Sequence, residues 1–279
     1  MDYLNSQLTE KIINLSLEED IRNGDITTEL IVSGNETAEA IIISKGEGII
    51  SGLPVAEKIF KKLDPDMQWV LHKNDGDRAG KMDLLAEMKG SLRAMLTGER
   101  TALNFMQRMS GISTAASKFV EGVKGFDVKI LDTRKTAPGL RMLDKYAVKM
   151  GGAVNHRIGL YDMVMIKNNH IKAAGSITNA VNKVRAKILS GMKIEVETSN
   201  KEQVIEAVGL GVDIIMLDNM TIEMMKECVK IINHKAMVEA SGGVVLDRVR
   251  LIAETGIDFI SIGALTHSVK ALDISQYIK

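Results

Sequence analysis

The 279-residue chain has one cysteine, no excess of either charge and no apolar run approaching the roughly eighteen residues of a membrane-spanning helix. Each shortage closes a class of function. The single cysteine, Cys228, excludes an internal disulfide and fits a reducing compartment. It falls in the helical-looking run 222–232, where a buried structural thiol is expected rather than a nucleophile. Thirty-six basic residues balance thirty-six acidic ones, so no global field draws the chain to nucleic acid or an anionic membrane. Any anion binding must come from local arrangement. The histidines at 72, 170, 234 and 267 show no metal-ligand spacing, which argues against zinc, and no Gly-x-Ser-x-Gly elbow marks a covalent nucleophile. Residues 1–16 are polar and amphipathic, unlike a secretory signal, so a soluble, cytoplasmic protein is expected.

What is present is a chain that is 45% apolar, long enough for one large α/β domain and a smaller one. From about Ser110 onward, short β-branched runs alternate with helical patterns, the sign of repeated βα units. The runs are 128–132, 162–167, 193–198, 213–218, 237–241 and 259–263, with a seventh possible at 153–157. Six or seven parallel strands fall short of the eight of a closed barrel, so an open α/β barrel over 111–267 is the expectation. Residues 1–110 read as a smaller α+β sandwich domain, with strands near 37–44, 67–71 and 84–88 and helices through Leu17 and near 55–63. A helical segment over 92–124, interrupted at Ser110-Gly111, joins the two, and 268–279 is expected to return to the first domain.

The last four runs end at Glu197, Asp218, Ser241 and Gly263, separated by 21, 23 and 22 residues. That period places these residues at one end of neighbouring strands, the rim where barrels assemble active sites. Arg134, Lys135, His156, Arg157 and Lys167 also lie near the ends of apolar runs. Single cations at strand ends are commonly solvated, but five in three segments form a constellation. Two of them about 8 Å apart at an effective dielectric near 20 would repel by roughly 2 kcal/mol, a cost that a bound polyanion removes. Arginine grips a carboxylate with two parallel hydrogen bonds and lysine supplies a movable charge, so the set suits a dicarboxylate. Glu197 and Asp218 could bind Mg²⁺ directly, bind its waters or hold sugar hydroxyls; the plainer readings are helix caps or partners of the basic set. Glu195, two residues before Glu197, points to the same side and could share the work. Ser241-Gly242-Gly243 and Gly263-Ala264 each follow a strand, where small residues admit a phosphate to backbone N–H groups or simply make a turn.

These residues fall within longer motifs: Glu19-Asp-Ile-Arg-Asn-Gly-Asp-Ile-Thr-Thr28, Gly98-Glu-Arg-Thr-Ala-Leu-Asn104, Thr133-Arg-Lys-Thr-Ala-Pro-Gly-Leu-Arg141, Gly151-Gly-Ala-Val-Asn-His-Arg157, Glu195-Val-Glu197, Leu217-Asp-Asn219, Glu239-Ala-Ser-Gly-Gly243 and Ser261-Ile-Gly-Ala-Leu-Thr-His267. Together and in this order they resemble the quinolinate phosphoribosyltransferase family. Asn168 stands where the family pattern suggests Asp, and Thr136-Ala137 replaces a more usual Thr-Thr. The resemblance implies transfer of phosphoribosyl from 5-phosphoribosyl 1-pyrophosphate to quinolinate, with loss of CO₂, in de novo NAD biosynthesis. It implies Mg²⁺ as cofactor and a homodimer in which Arg100 comes from the neighbouring subunit. On the same resemblance Thr133, Arg134, Lys135, His156, Arg157 and Lys167 hold quinolinate, and Lys135, Glu197 and Asp218 are catalytic. Glu197 and Asp218 serve the ribose and Mg²⁺, while Ser241, Gly242, Gly243, Gly263, Ala264 and Leu265 receive phosphate. The alternatives are a paralogous phosphoribosyltransferase acting on another acid and a silent polyanion-binding protein. A monocarboxylate needs fewer cations, and a silent binder has no use for Glu197 and Asp218.

Overall fold

The computed structural model describes residues 2–279. Helices α1 (Gln7–Ile21) and α2 (Ile26–Ile31) precede strand β1 (Thr37–Ser44), the short β2 (Gly48–Ile49) and helix α3 (Leu53–Leu63). Strands β3 (Gln68–Leu71), β4 (Arg78–Ala79) and β5 (Leu84–Ser91) lead into the long α4 (Leu92–Gly122). The chain then runs through β6 (Lys129–Leu131), α5 (Arg141–Met150), β7 (Val164–Ile166), α6 (Asn168–Ala174), α7 (Ile177–Arg185) and β8 (Ile194–Thr198). It continues through α8 (Lys201–Gly209), β9 (Ile214–Asp218), α9 (Ile222–Ile232), β10 (Met237–Ser241), α10 (Leu246–Ala253), β11 (Phe259–Ser261), α11 (Ala264–His267) and β12 (Ile274–Ile278).

Residues up to Ser117, with 135–152 and 264–279, form one compact unit. Its antiparallel sheet has the order β12-β1-β5-β3, and β12 pairs with β1 from Ala40↔Ile278 to Ser44↔Ile274. The helix starts follow local chemistry, because the first turn leaves backbone donors without partners. Ser6 caps α1 through the Thr9 N–H (3.1 Å) and Asp25 caps α2 through the Thr28 N–H (3.0 Å). For α3 the acceptor comes from a distant turn: the Asp75 carboxylate receives the N–H groups of Gly52 (2.8 Å) and Leu53 (3.0 Å). The helix α3 then buries Leu53, Val55, Ala56, Ile59 and Phe60 on one face.

The break expected in the long helix at Ser110-Gly111 is absent; α4 runs unbroken. Both residues serve packing instead of a turn. Ser110 Oγ accepts from the Ser51 N–H (2.9 Å) and donates to the Ser51 carbonyl (3.1 Å), while a Cβ at Gly111 would lie 2.3 Å from the Lys270 carbonyl oxygen. Glycine is there because another segment's backbone is against it. The same device brings α5 onto α4, where a Cβ at Gly151 would lie 2.4 Å from the Ser113 carbonyl oxygen and Ser113 Oγ donates to the Ala147 carbonyl (2.7 Å).

The second unit, residues 118–134 and 153–263, holds six parallel strands in the order β6-β11-β10-β9-β8-β7. Every residue of β8 and the first four of β9 are buried, as in a sheet covered on both faces. The sheet does not close, and β6 and β7 remain its edges. The possible seventh strand at 153–157 reduces to one parallel bridge, Leu131↔Val154. The reason is local: the Asp132 carboxylate takes the His156 N–H (2.8 Å) and the Asn155 side-chain amide (2.7 Å), diverting the segment from a backbone ladder.

Candidate active site

In the second unit the carboxyl ends of the parallel strands carry most of the polar residues singled out above. Asp218 and Ser241 are level on adjacent strands, in register across β9 and β10. Glu197 lies two residues lower, paired with Met216, and Glu239 on β10 is level with that same Met216. Parallel register thus gathers acidic side chains from β8, β9 and β10.

The basic residues are drawn into this array in two ways. Lys167, just after β7, reaches Glu197 with Nζ 2.9 Å from Oε2. Its backbone N–H donates to His170 Nδ1 (3.0 Å), which orders the start of α6 and gives His170 a structural use. Arg157 donates from Nη1 to the Met163 carbonyl (3.0 Å), within a loop whose Ile158 and Gly159 N–H groups bind the Asp162 carboxylate at 2.7 and 2.9 Å. Burial and the neighbouring charge of Arg134 both press the Arg157 guanidinium below its usual range. Arg134 Nε is itself buried with no hydrogen-bond partner among the described residues.

Beneath these cations lies a cluster that the sequence reading did not assemble. The imidazole of His156 is 7% exposed, with Nε2 3.0 Å from Glu195 Oε2 and 3.3 Å from Glu239 Oε2; both carboxylates are fully buried. Burial opposes a charge on His156, but the two carboxylates outweigh it and push the group up to about 9. The hydrogen bonding says where the proton can rest. Nδ1 accepts the Arg157 backbone N–H at 2.7 Å, which a doubly protonated ring cannot do. A neutral ring in this contact carries its proton on Nε2. The Glu195 carboxyl is also raised, by burial in the first instance and by the Glu239 charge as well. Glu239 Oε1 accepts the Ser261 hydroxyl at 2.5 Å.

The glycine pair after β10 is used in two different ways. Gly242 has φ +98°, and a Cβ there would lie 2.2 Å from Asn219 Oδ1, so its glycine is explained by Asn219. Gly243 has φ +57° and open space where a side chain would go. Gly263 follows β11 and leads into α11, a single turn.

Four expected site residues belong to the first unit. Arg100 extends from α4 with a side chain 62% exposed, near Glu99. The Lys135 side chain is exposed, but its carbonyl accepts the Thr266 hydroxyl at 2.9 Å. Arg108 binds the buried Asp144 with Nε at 2.9 Å and Nη2 at 2.8 Å and also reaches the Thr266 carbonyl (3.2 Å), while Asp144 takes the Ala137 N–H (3.1 Å). The loop bearing Lys135 is thereby tied at two points. Ala264 and Leu265 form the start of α11.

Known proteins are similar to this chain along nearly its whole length. Residues 112–276 match the family description "Quinolinate phosphoribosyl transferase, C-terminal domain" and residues 25–110 match its N-terminal domain. The chain belongs to the quinolinate phosphoribosyltransferase family. Among its relatives, a probable nicotinate-nucleotide pyrophosphorylase [carboxylating] of Bacillus subtilis is 45% identical, over 98% of this chain and 94% of the relative. Quinolinate phosphoribosyltransferase [decarboxylating] 1b of Nicotiana tabacum is 42% identical, over 96% of this chain and 81% of its own. The solved nicotinate-nucleotide pyrophosphorylase from Francisella tularensis superposes with a TM-score of 0.94 at 38% identity, covering all of both chains. The open six-stranded sheet and separate antiparallel unit are thus the fold of a quinolinate phosphoribosyltransferase.

Within this family member, sequence reasoning found the rim residues but missed Glu239 and Ser261 as parts of a cluster. The available signal was Glu239 itself, one acid inside an apolar run. Its partner on β11 is not legible without the register that brings Ser261 beside it.

Proposed function

We propose that the chain catalyses phosphoribosyl transfer from 5-phosphoribosyl 1-pyrophosphate to quinolinate, releasing pyrophosphate and CO₂ and forming nicotinate mononucleotide. The observation that carries this reading is the Arg134 and Arg157 pair, two cations in mutual repulsion with one buried guanidinium donor unpartnered among the described residues. A dicarboxylate relieves that repulsion and gains charge-assisted hydrogen bonds worth about 1.5 to 3 kcal/mol each. In this reading Thr133, Arg134, His156, Arg157 and Lys167 form the quinolinate side, with Lys135 close to both substrates. Ser241, Gly242, Gly243, Gly263, Ala264 and Leu265 receive phosphate.

Electron flow follows from the substrates. The pyridine nitrogen bonds to the anomeric carbon as the bond to pyrophosphate breaks, and pyrophosphate leaves with the electron pair. Glu197 and Asp218 stabilise the positive charge that develops on the ribose. The quaternised ring then accepts the electron pair of the breaking carboxylate bond, CO₂ departs, and the ring carbon takes a proton from solvent. Orientation by the cationic clamp lowers the barrier further. The oxygen donors of Glu197 and Asp218 are those that Mg²⁺ prefers, and the ion, held directly or through water, would neutralise charge on the leaving pyrophosphate.

We also read the enzyme as a cytoplasmic homodimer in which Arg100 completes the partner's site. Support comes from the exposure of Arg100 and of Ile26, Leu30 and Ile31 on α2, at 75, 82 and 76%, an apolar strip of the kind that a second copy covers. Among the described residues no helix is long and apolar enough to cross a membrane.

The test is a Mg²⁺-dependent assay with phosphoribosyl pyrophosphate and either quinolinate or nicotinate, following nucleotide and CO₂. Nucleotide with stoichiometric CO₂ from quinolinate alone is the expected result. Turnover of nicotinate would assign the chain to a paralogous activity, and binding without turnover to a silent binder.

A further inference from the structure

We infer that Glu239, fastened by Ser261, is a positioning residue for the diacid substrate: with Glu195 it fixes the His156 imidazole, and the imidazole fixes the backbone of Arg157. The inference rests on the reading that Arg157 contacts quinolinate.

The chain of contacts is continuous and buried. Ser261 Oγ lies 2.5 Å from Glu239 Oε1, which leaves Oε2 turned toward His156 Nε2 at 3.3 Å. Glu195 Oε2 approaches the same nitrogen from β8 at 3.0 Å. The other ring nitrogen takes the Arg157 N–H at 2.7 Å, and the Asp132 carboxylate holds the His156 N–H at 2.8 Å. The imidazole therefore works as a strut. One end abuts two acids on parallel strands, and the other sets the main chain of a clamp residue. A rotated ring would lose the bond to Arg157 and take Nε2 away from both buried carboxylates.

A cation site is the competing use of these groups, since His156, Glu195 and Glu239 offer donor atoms within 4.8 Å of one another. The ring excludes it. With Nδ1 accepting a backbone N–H, Nε2 holds the proton and has no lone pair to give a metal. The neutral tautomer instead turns its Nε2–H side to the two carboxylates, at 3.0 and 3.3 Å. The Ser261 hydroxyl keeps Glu239 oriented in that role, as supporting groups around a binding residue commonly do.

The experiment compares Glu239→Gln, Ser261→Ala and Arg157→Ala in the full-length protein by steady-state kinetics with each substrate varied separately. Expected for Glu239→Gln is a KM for quinolinate raised about tenfold with the KM for phosphoribosyl pyrophosphate within about twofold. Ser261→Ala should shift the quinolinate KM in the same direction by less, and it carries the comparison should Glu239→Gln not fold. Equal effects on both substrates, or none, would overturn the inference. An unchanged quinolinate KM in Arg157→Ala would instead remove the underlying reading of the clamp. Ring-¹⁵N NMR of the wild-type protein, with His156 assigned by its loss in His156→Gln, supplies an independent readout. A neutral ring with Nε2–H supports the strut, and a ring protonated at Nδ1 overturns it.

Discussion

Two buried acids and one imidazole make the pH behaviour of this protein a matter of single residues. Glu195 is raised above the ordinary carboxylate range, so the folded chain holds its proton more tightly than the unfolded chain does. For a raised group the stabilisation is complete below the unfolded value and is lost as pH climbs through the folded one. Stability should therefore decline upward from the usual carboxylate range, with a slope of at most about 1.4 kcal/mol per pH unit for one proton. Glu195→Gln, a neutral mimic of nearly the same shape, should flatten that decline. Melting curves across pH for both proteins provide the check, and parallel curves would mean that Glu195 titrates like an ordinary carboxylate. On the rim, the proposed role of Asp218 predicts that Asp218→Ala depresses kcat well beyond its effect on either KM, because the stabilisation assigned to it belongs to the transition state. Steady-state rates that leave kcat untouched would take Asp218 out of the chemistry. Residue types at strand ends were legible in the sequence because the 21- to 23-residue period places them on one rim. Their partners were not, since the salt bridge from Lys167 to Glu197 and the bond from Ser261 to Glu239 cross between strands.

At the scale of elements, apolar periodicity marked the six parallel strands, whose buried runs leave little ambiguity. It failed where a polar side chain competes with the backbone. Asp132 draws Asn155 and His156 away from a ladder, and Ser110-Gly111 resembles a break but is a contact surface. That second point has a stability consequence. Gly111→Ala suits a helix by intrinsic propensity, yet its Cβ would meet the Lys270 carbonyl oxygen at 2.3 Å. Overpacking should win, with a loss of about 1 to 3 kcal/mol read as a lower melting temperature. A rise would show that the segment 270–271 gives way easily. The tie between α4, α5 and α11 makes a sharper case. Arg108→Ala leaves Asp144, which has no exposure, without its cation, and breaking a buried pair in this way costs about 3 to 5 kcal/mol. Denaturant unfolding measures the loss, and a change below about 1 kcal/mol would mean that Asp144 finds another partner.

At the scale of the whole molecule, the sequence motifs run in family order along the chain, and this is why fold and family are legible in the sequence alone. Assembly is written differently, in surfaces rather than periodicities. Arg100 lies outside the second unit, on a helix of the first, with a mostly exposed side chain, and the apolar strip of α2 belongs to that unit too. If Arg100 serves the neighbouring subunit, a site is completed by two chains, and damage on different chains can be sorted by re-pairing. Arg100→Ala and Lys167→Ala homodimers should each be strongly impaired. After mixing and subunit exchange, half of the dimers are mixed, and each of these has one site with both lesions and one with neither. About a quarter of the wild-type activity should then return, a fraction set by twofold symmetry alone. The exchange itself is followed with differently tagged subunits, so that lack of re-pairing is not mistaken for lack of rescue. Mixed dimers without recovered activity would place Arg100 and Lys167 in the same site of one chain and remove the shared-site reading.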